Sequence, residues 1–215
     1  DDEARARRPR HERQCRNRVD HQRRSGRDHE IAFRRCHLRA IKLLLRHCLA
    51  KRDHRRLDEA AARLGTIQKS ARSHDIPVII VQHDEPVGSG DPLTIGTKGW
   101  EIHPAVAPLD TDIVVHKQSC DSLHATELDQ LLRSRGIDHL IIGGCMTQYC
   151  VDTTVRRATS MGYQVTLVSD GHMTSDMGAL TYDQIIAYHN QILDGFGAGK
   201  FRVKAIPSSD ISFAS

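Results

Sequence analysis

The sequence predicts an open, doubly wound α/β fold: a parallel sheet between two helical layers, a three-layer α/β/α sandwich. Three observations predict it. From residue 58 onward, short apolar runs alternate with amphipathic stretches of helical period. The apolar runs lack in/out polar alternation, as expected of strands covered on both faces. Glycines such as Gly136 and Gly162 fall just past the helical stretches, where helices end. Strands alternating with helices and joined by right-handed crossovers give this architecture.

The elements follow in order. Residues 58–74 read as a helix, Ala-rich, with Leu57, Ala61, Leu64 and Ile67 recurring on one face. Residues 76–81 (IPVIIV) read as a strand, with Pro77 near its start, where it is tolerated. Residues 84–110 repeat Pro and Gly and read as a long loop, a kind that is often functional. Residues 113–115 are a second strand and 121–135 a helix capped by Gly136. Residues 139–142 are a third strand, ended by Gly143-Gly144, and 147–161 a helix ended by Gly162. A strand over 163–168, a helix over 180–193 and a fifth strand over 201–206 complete the domain.

The first 57 residues are of another kind. They carry 19 Lys and Arg against 8 Asp and Glu, whereas 58–215 carry 12 against 19. Residues 1–30 hold four hydrophobic residues, Ala4, Ala6, Cys15 and Val19, too few to offset the entropy of ordering, so disorder is expected there. Leu38, Ile41, Leu45 and Cys48 suit one face of a helix, and a short strand around Leu43-Leu44-Leu45 is the alternative. The segment has 17 Arg but 2 Lys. A basic arm for nucleic acid is one reading. An out-of-frame or replaced segment is the other, and it is the one preferred here. No aromatic residue precedes Phe33, so base stacking has no support and nucleic acid is not the expected partner. Residues 58–215 form the expected domain and 1–57 a basic, mostly disordered or out-of-frame extension.

Ligands of doubly wound folds bind beyond the C-terminal ends of the strands. That rule selects Gln82-His83-Asp84, His116-Lys117-Gln118, residues 143–150 and Ser169-Asp170-Gly171-His172. The third place carries the chemistry. Gly143-Gly144-Cys145-Met146-Thr147-Gln148-Tyr149-Cys150 is a strand-to-helix turn in which Thr147 can cap the helix. Cys150 falls in or near the first turn, where the dipole and unpaired N–H groups favour a thiolate and can receive an oxyanion. Lys117, at the end of what reads as the neighbouring strand, adds a positive charge. A cysteine, a lysine and a donor-rich turn suit covalent attack on a carbonyl; a small buried thiol packing as a hydrophobe is the plainer reading of the same cysteine.

Val115-His116-Lys117, the run from Gly136 through Cys150 to Ala158, Gly162-Tyr163-Gln164-Val165 and residues 184–190 together resemble the isochorismatase-like cysteine hydrolase family over about residues 58–195. The resemblance implies six parallel strands and an Asp-Lys-Cys triad, with Cys150 as nucleophile and Lys117 as its lysine. It also implies a non-proline cis peptide between Cys145 and Met146, which aims the Met146 N–H, with that of Cys150, at the oxyanion. The implied reaction is hydrolysis of a C–N bond, of an amide or lactam, through a Cys thioester. Isochorismatases proper cleave a vinyl ether without a cysteine, so Cys150 points to the amidase side.

One part of the family pattern has no counterpart. Its first strand is apolar and ends in Asp-x-Gln, the Asp being the general base. Asp20-His21-Gln22 matches the letters but follows Cys15-Arg16-Asn17-Arg18, so Asp20 is a weak candidate. The central first strand is therefore expected to be missing or replaced, which makes a catalytically impaired relative the alternative to an active hydrolase.

Several other residues are pocket candidates. His83 follows the first strand, Trp100 is the only tryptophan and is either pocket wall or loop anchor, and Thr147 and Tyr149 flank the nucleophile. Asp170 and His172 read as turn residues. Cys145 and Cys150 as a redox pair is less economical than the hydrolase motif, and Cys120 takes no role. Gln82-His83-Asp84-Glu85 does not reproduce the metal pattern of nicotinamidases, so no metal and no cofactor are expected. The expected partners are a small-molecule substrate and further copies of the chain, as a dimer or larger. No apolar run approaches the roughly 20 residues of a membrane span, no basic-then-apolar leader is found, and a cytoplasmic location with reduced thiols is expected.

Overall fold

The structure, a computed structural model, describes residues 38–44 and 54–213, with side chains from residue 56 onward. The expected disorder of residues 1–30 and the candidate Asp20 lie outside the described residues.

The described chain is a seven-stranded sheet flanked by four helices. Its elements are β1 (Leu38–Leu44), α1 (His54–Arg72), β2 (Val78–His83), β3 (Ile113–Lys117), α2 (Leu128–Ser134), β4 (Ile137–Cys145), α3 (Asp152–Ser160), β5 (Gln164–Met173), α4 (Tyr182–Leu193), β6 (Gly197–Ala198) and β7 (Phe201–Ile206). The strand order is β3-β2-β1-β4-β5-β7-β6. Every pairing is parallel except the two-residue β6 against β7. The order reverses at β1, which makes the fold doubly wound and places its crevice at the C-terminal ends of the central strands.

The expectation of a missing central strand is corrected. Leu38–Leu44 pairs with β2 through Ile41↔Val78 and Leu43↔Ile80, and with β4 from Leu38↔Ile137 to Leu44↔Gly144. The segment is a strand rather than a helix, and it begins five residues before the Leu43-Leu44-Leu45 alternative. Arg39 and Lys42 hide it, because a strand between two neighbours usually shows an unbroken apolar run. Backbone pairing on both edges overrides that local signal. The sheet thus draws on residues from both sides of residue 57.

Helix α1 covers one face of the sheet. Leu57, Ala61 and Leu64 are fully buried and Ile67 nearly so, in one core with Ile80, Ile141, Val168 and Phe213. On the opposite face Leu128, Leu132, Val155 and Ala158 of α2 and α3 pack on Ile79, Val81, Leu140, Ile142 and Leu167. Along β2, β4 and β5, successive residues therefore serve opposite cores, which is why those strands read as continuous apolar runs. Glycine is required where β4 meets β5 and α1: a Cβ on Gly143 would lie 2.6 Å from Leu64 Cδ2 and 2.7 Å from the Gly171 carbonyl oxygen.

Two helices are shorter than the sequence predicts. Residues 121–127 are turns, not the first turns of α2. Asp121 Oδ1 accepts the Leu123 N–H at 2.8 Å, Thr126 Oγ1 donates to the Ser122 carbonyl at 2.7 Å, and Ala125 has φ +51°. The left-handed Ala125 is what is incompatible with a helix through this stretch. Residues 147–151 form a wide π-type turn ahead of α3, both the Tyr149 and the Val151 N–H donating to the Met146 carbonyl. Thr147 is not the helix cap, because its hydroxyl is engaged elsewhere, as described below. Strand β5 runs on to Met173, with a register shift that pairs Gly144 with His172. Asp170 and His172 are strand residues, not turn residues.

Candidate active site

β4 delivers the chain to the crevice through a cis peptide bond between Cys145 and Met146, at the position the resemblance implies. The turn that follows carries Thr147, Gln148, Tyr149 and Cys150. Thr147 is fully buried, Cys150 is half-buried, and Tyr149 is exposed. Both amide atoms of Gln148 are buried with no hydrogen-bond partner among the described residues.

A buried network fixes this turn. Asn190 Nδ2 donates to the Ser169 carbonyl at 2.9 Å, which turns Asn190 Oδ1 toward His172 Nε2, also at 2.9 Å. The ring proton therefore sits on Nε2, and Nδ1 accepts the Thr147 hydroxyl at 3.0 Å. Burial depresses His172 to about 4, against the opposing pull of its Asn190 hydrogen bond, so the ring is neutral at physiological pH. Sequence reasoning placed His172 at a site-facing strand end but read it as a turn residue, and it gave Asn190 no role of its own. Their only signal is that His172 follows an apolar strand and Asn190 faces it from α4, a relation the linear order conceals.

Lys117 is not on the strand beside β4. Two strands, β2 and β1, separate β3 from β4, about 14 Å at the usual strand spacing. The segment after β3 bridges that gap. Lys117 is buried, and its Nζ donates to the carbonyls of Ser119 at 2.6 Å and Cys120 at 3.0 Å. The Cys120 carbonyl also accepts from Thr154 Oγ1 at 3.3 Å, and the Ser122 N–H donates to that same hydroxyl at 3.2 Å. Thr154 lies four residues beyond Cys150. The Cys120 thiol lies in the field of both Cys150 and Lys117. The Cys120 carbonyl thus links the end of β3 to the first residues of α3.

A cleft of about 400 Å³ opens at the ends of β2 and β3, lined by Asp84, His116, Lys117, Gln118, Ser119, His124 and Ala125. Cys150 is not in its wall. The end of β1 lies between the two, and residues 45–53 are outside the described residues. Asp84, in one of the strand ends that the sequence selects, holds His116 Nδ1 at 2.9 Å and accepts the Trp100 Nε1–H at 2.8 Å. Trp100 also accepts from Gln82 through its carbonyl, so it ties the long loop to β2. His83 is buried, pairs with Glu85 at 2.6 Å and is outside the cleft lining, its Nδ1 without a partner among the described residues. Among the described residues no three His, Cys, Asp or Glu side chains gather as metal ligands.

A family model, the isochorismatase domain, matches residues 46–190. The chain belongs to the isochorismatase family. It is 31% identical over 120 residues to an isochorismatase family protein of Bacillus subtilis (strain 168), YddQ, covering 56% of this chain and 67% of that one. It is 35% identical over 109 residues to streptothricin hydrolase of Streptomyces noursei, covering 51% of this chain but 39% of the relative. A secreted isochorismatase effector of Verticillium dahliae is 27% identical over 143 residues, 66% of this chain and 74% of that one. Among solved structures, an isochorismatase of Pseudomonas putida KT2440 superposes with a TM-score of 0.70 at 27% identity, covering 81% of this chain and 90% of that one. N-carbamoylsarcosine amidase of Thermoplasma acidophilum shares the fold, with a TM-score of 0.65 at 18% identity over 80% of this chain and 98% of that one. No described helix of the isochorismatase-family chain is long and apolar enough to cross a membrane.

Proposed function

We propose that the chain is a cysteine hydrolase that cleaves a C–N bond, amide or lactam, of a small molecule. What supports this is the Cys120 carbonyl, which accepts both from the buried Lys117 Nζ and from Thr154 Oγ1, four residues beyond Cys150, and so ties the end of β3 to the stretch that carries Cys150. The Cys150 sulfur attacks the carbonyl, and the oxyanion is received by the Met146 and Cys150 N–H groups. The tetrahedral intermediate expels the amine with a proton, leaving a thioester that water hydrolyses. Thr147 acts through its bond to His172 by holding the turn, and Tyr149 and Trp100 belong to the surroundings of the substrate. The reaction calls for no metal or cofactor. The family's relatives named as hydrolase and amidase support the bond class.

A second reading has its own observation. No Asp or Glu occurs from residue 31 to residue 52, so β1 and the eight residues after it offer no carboxylate for the triad. On that reading the chain is a catalytically impaired relative on the same scaffold.

Thiol alkylation against pH, read by peptide mass mapping, separates the two. Rapid labelling of Cys150 at neutral pH, selective over Cys145 and Cys120 and followed by turnover of an amide that Cys150→Ala abolishes, supports the hydrolase. Labelling of Cys150 with an ordinary free-thiol profile, and no turnover across an amide panel, supports the impaired relative. A chimera with an apolar strand ending in Asp-x-Gln in place of residues 38–46 is expected to raise turnover at least tenfold. A folded chimera that remains inactive overturns the assignment of Cys150.

A further inference from the structure

Among the described residues, Cys120 is a half-buried thiol on the Cys150 side of the segment after β3 that the proposed hydrolysis does not use. It sits in the irregular segment after β3, and its carbonyl is held from two sides, by Lys117 Nζ at 3.0 Å and by Thr154 Oγ1 at 3.3 Å. Thr154 and Cys150 share one stretch of chain, the turn and first residues of α3, so the bond from Thr154 lays Cys120 against the element that carries Cys150. The two thiols act on one another electrostatically, both are half-buried, and neither is in a disulfide. Cys145 is different: it is buried in the α1-side core, among side chains such as Leu64 and Met173.

We propose that Cys120 is a resolving cysteine, which forms an intramolecular disulfide with Cys150 when a hydroperoxide oxidises the site. In the first step the Cys150 sulfur attacks the peroxide. An S–O bond forms, the O–O bond breaks, and the alkoxide leaves as the alcohol with the thiol proton. The sulfur becomes a sulfenic acid, oxidised by two electrons, and the peroxide is reduced by two. In the second step the Cys120 sulfur attacks the Cys150 sulfur. The S–S bond forms, the S–O bond breaks, and hydroxide leaves with the Cys120 proton as water. Two thiols and one hydroperoxide give one disulfide, one alcohol and one water, and a dithiol reverses the bond by exchange.

The division of labour between the thiols has a physical basis. Burial pushes the Cys120 thiol up, the Cys150 thiol pushes it the same way, and the Lys117 ammonium pulls it back. Cys120 is therefore the poorer first attacker on peroxide and suits the second step, once a sulfenic acid stands beside it. Cys120 lies in irregular chain rather than in a strand or helix, so its Cα can take up the approach that a disulfide requires. The bond occupies the Cys150 sulfur and blocks over-oxidation to the sulfinic acid, which a dithiol does not reverse. That this switches activity off rests on the reading of Cys150 as nucleophile; formation of the bond does not.

The test uses the full chain treated with hydrogen peroxide, alkylated, digested with trypsin and mapped without reduction. The expected product links peptide 118–133 to peptide 136–156, disappears with dithiothreitol, is absent from Cys120→Ser, and persists in Cys145→Ser. The same peroxide dose is expected to convert Cys150 to sulfinic acid at least fivefold faster in Cys120→Ser than in the unsubstituted chain. Circular dichroism of each variant establishes that it is folded. Absence of the linked peptide at doses that oxidise Cys150 overturns the proposal. So does a link that persists in Cys150→Ser and is lost in Cys145→Ser. The mapping reads the bond itself, so it stands or falls whether or not an amide substrate is found.

Discussion

His172 shows how one residue can control the site without lying in the reactive turn. It holds Thr147, four positions from the end of the turn's run to Val151, and it does so as a neutral ring. Its folded value of about 4 lies below the ordinary histidine value of 6.5, so between those pH values the unfolded chain binds a proton that the folded chain refuses. Stability is therefore fully present above about pH 6.5 and is lost as pH falls toward 4, by roughly 3 kcal/mol from this group. Urea denaturation at pH 7 and pH 4.5 checks it: His172→Gln is expected to be less stable at pH 7 and to lose distinctly less on acidification. Ala125 gives a second residue-level prediction. At φ +51° its Cβ is strained, and Ala125→Gly is expected to be neutral or to stabilise by up to about 1 kcal/mol. The same change at Ala158, buried inside α3, is expected to cost about 1 kcal/mol or more. Opposite signs in thermal denaturation are the signature.

At the scale of elements, the junction of α1, β4 and β5 is built for close approach. Gly143 leaves room for Leu64 and for the Gly171 backbone, and the next residues of β4 lead into the cis bond and the reactive turn. Gly143→Ala forces Leu64 or β5 to shift and is expected to destabilise by about 1–3 kcal/mol. Cys150 is also expected to lose its selectivity in alkylation, since the turn hangs from β4. The elements were mostly legible as apolar runs and helical periods. β7 falls where the sequence places it, and α4 starts one residue after Thr181, whose hydroxyl and Gln184 form a capping box. The start of α2 was not legible. Asp121, Ser122 and Thr126 are compatible with a helix start or with turns, and only the tertiary bond between Ser122 and Thr154 separates the two.

For the whole molecule, β1 decides the architecture. It is the strand between the half made of β2 and β3 and the half made of β4, β5, β7 and β6. A chain beginning at residue 58 lacks it and leaves two unpaired edges where β2 and β4 met it. Such a chain is expected to lose cooperative unfolding, monitored by circular dichroism and by dye binding to exposed apolar surface. A truncated chain that melts in a single transition like the full one would show that β1 is dispensable.

The amino-acid sequence by itself determined the alternation of strands and helices, the parallel sheet, the family likeness and the choice of Cys150 and Lys117. Each of these is written in local composition or in contiguous motifs, such as the run from Gly136 to Ala158. Tertiary structure alone decided the strand at Leu38–Leu44, because Arg39 and Lys42 mask its apolar run and only its pairing with β2 and β4 reveals it. It alone decided that two strands separate Lys117 from β4 and that the Lys117 ammonium bonds the Cys120 carbonyl. It also decided that His172 and Asn190 hold the reactive turn. These are relations between residues far apart in sequence, and such contacts leave no periodicity for a single chain to display.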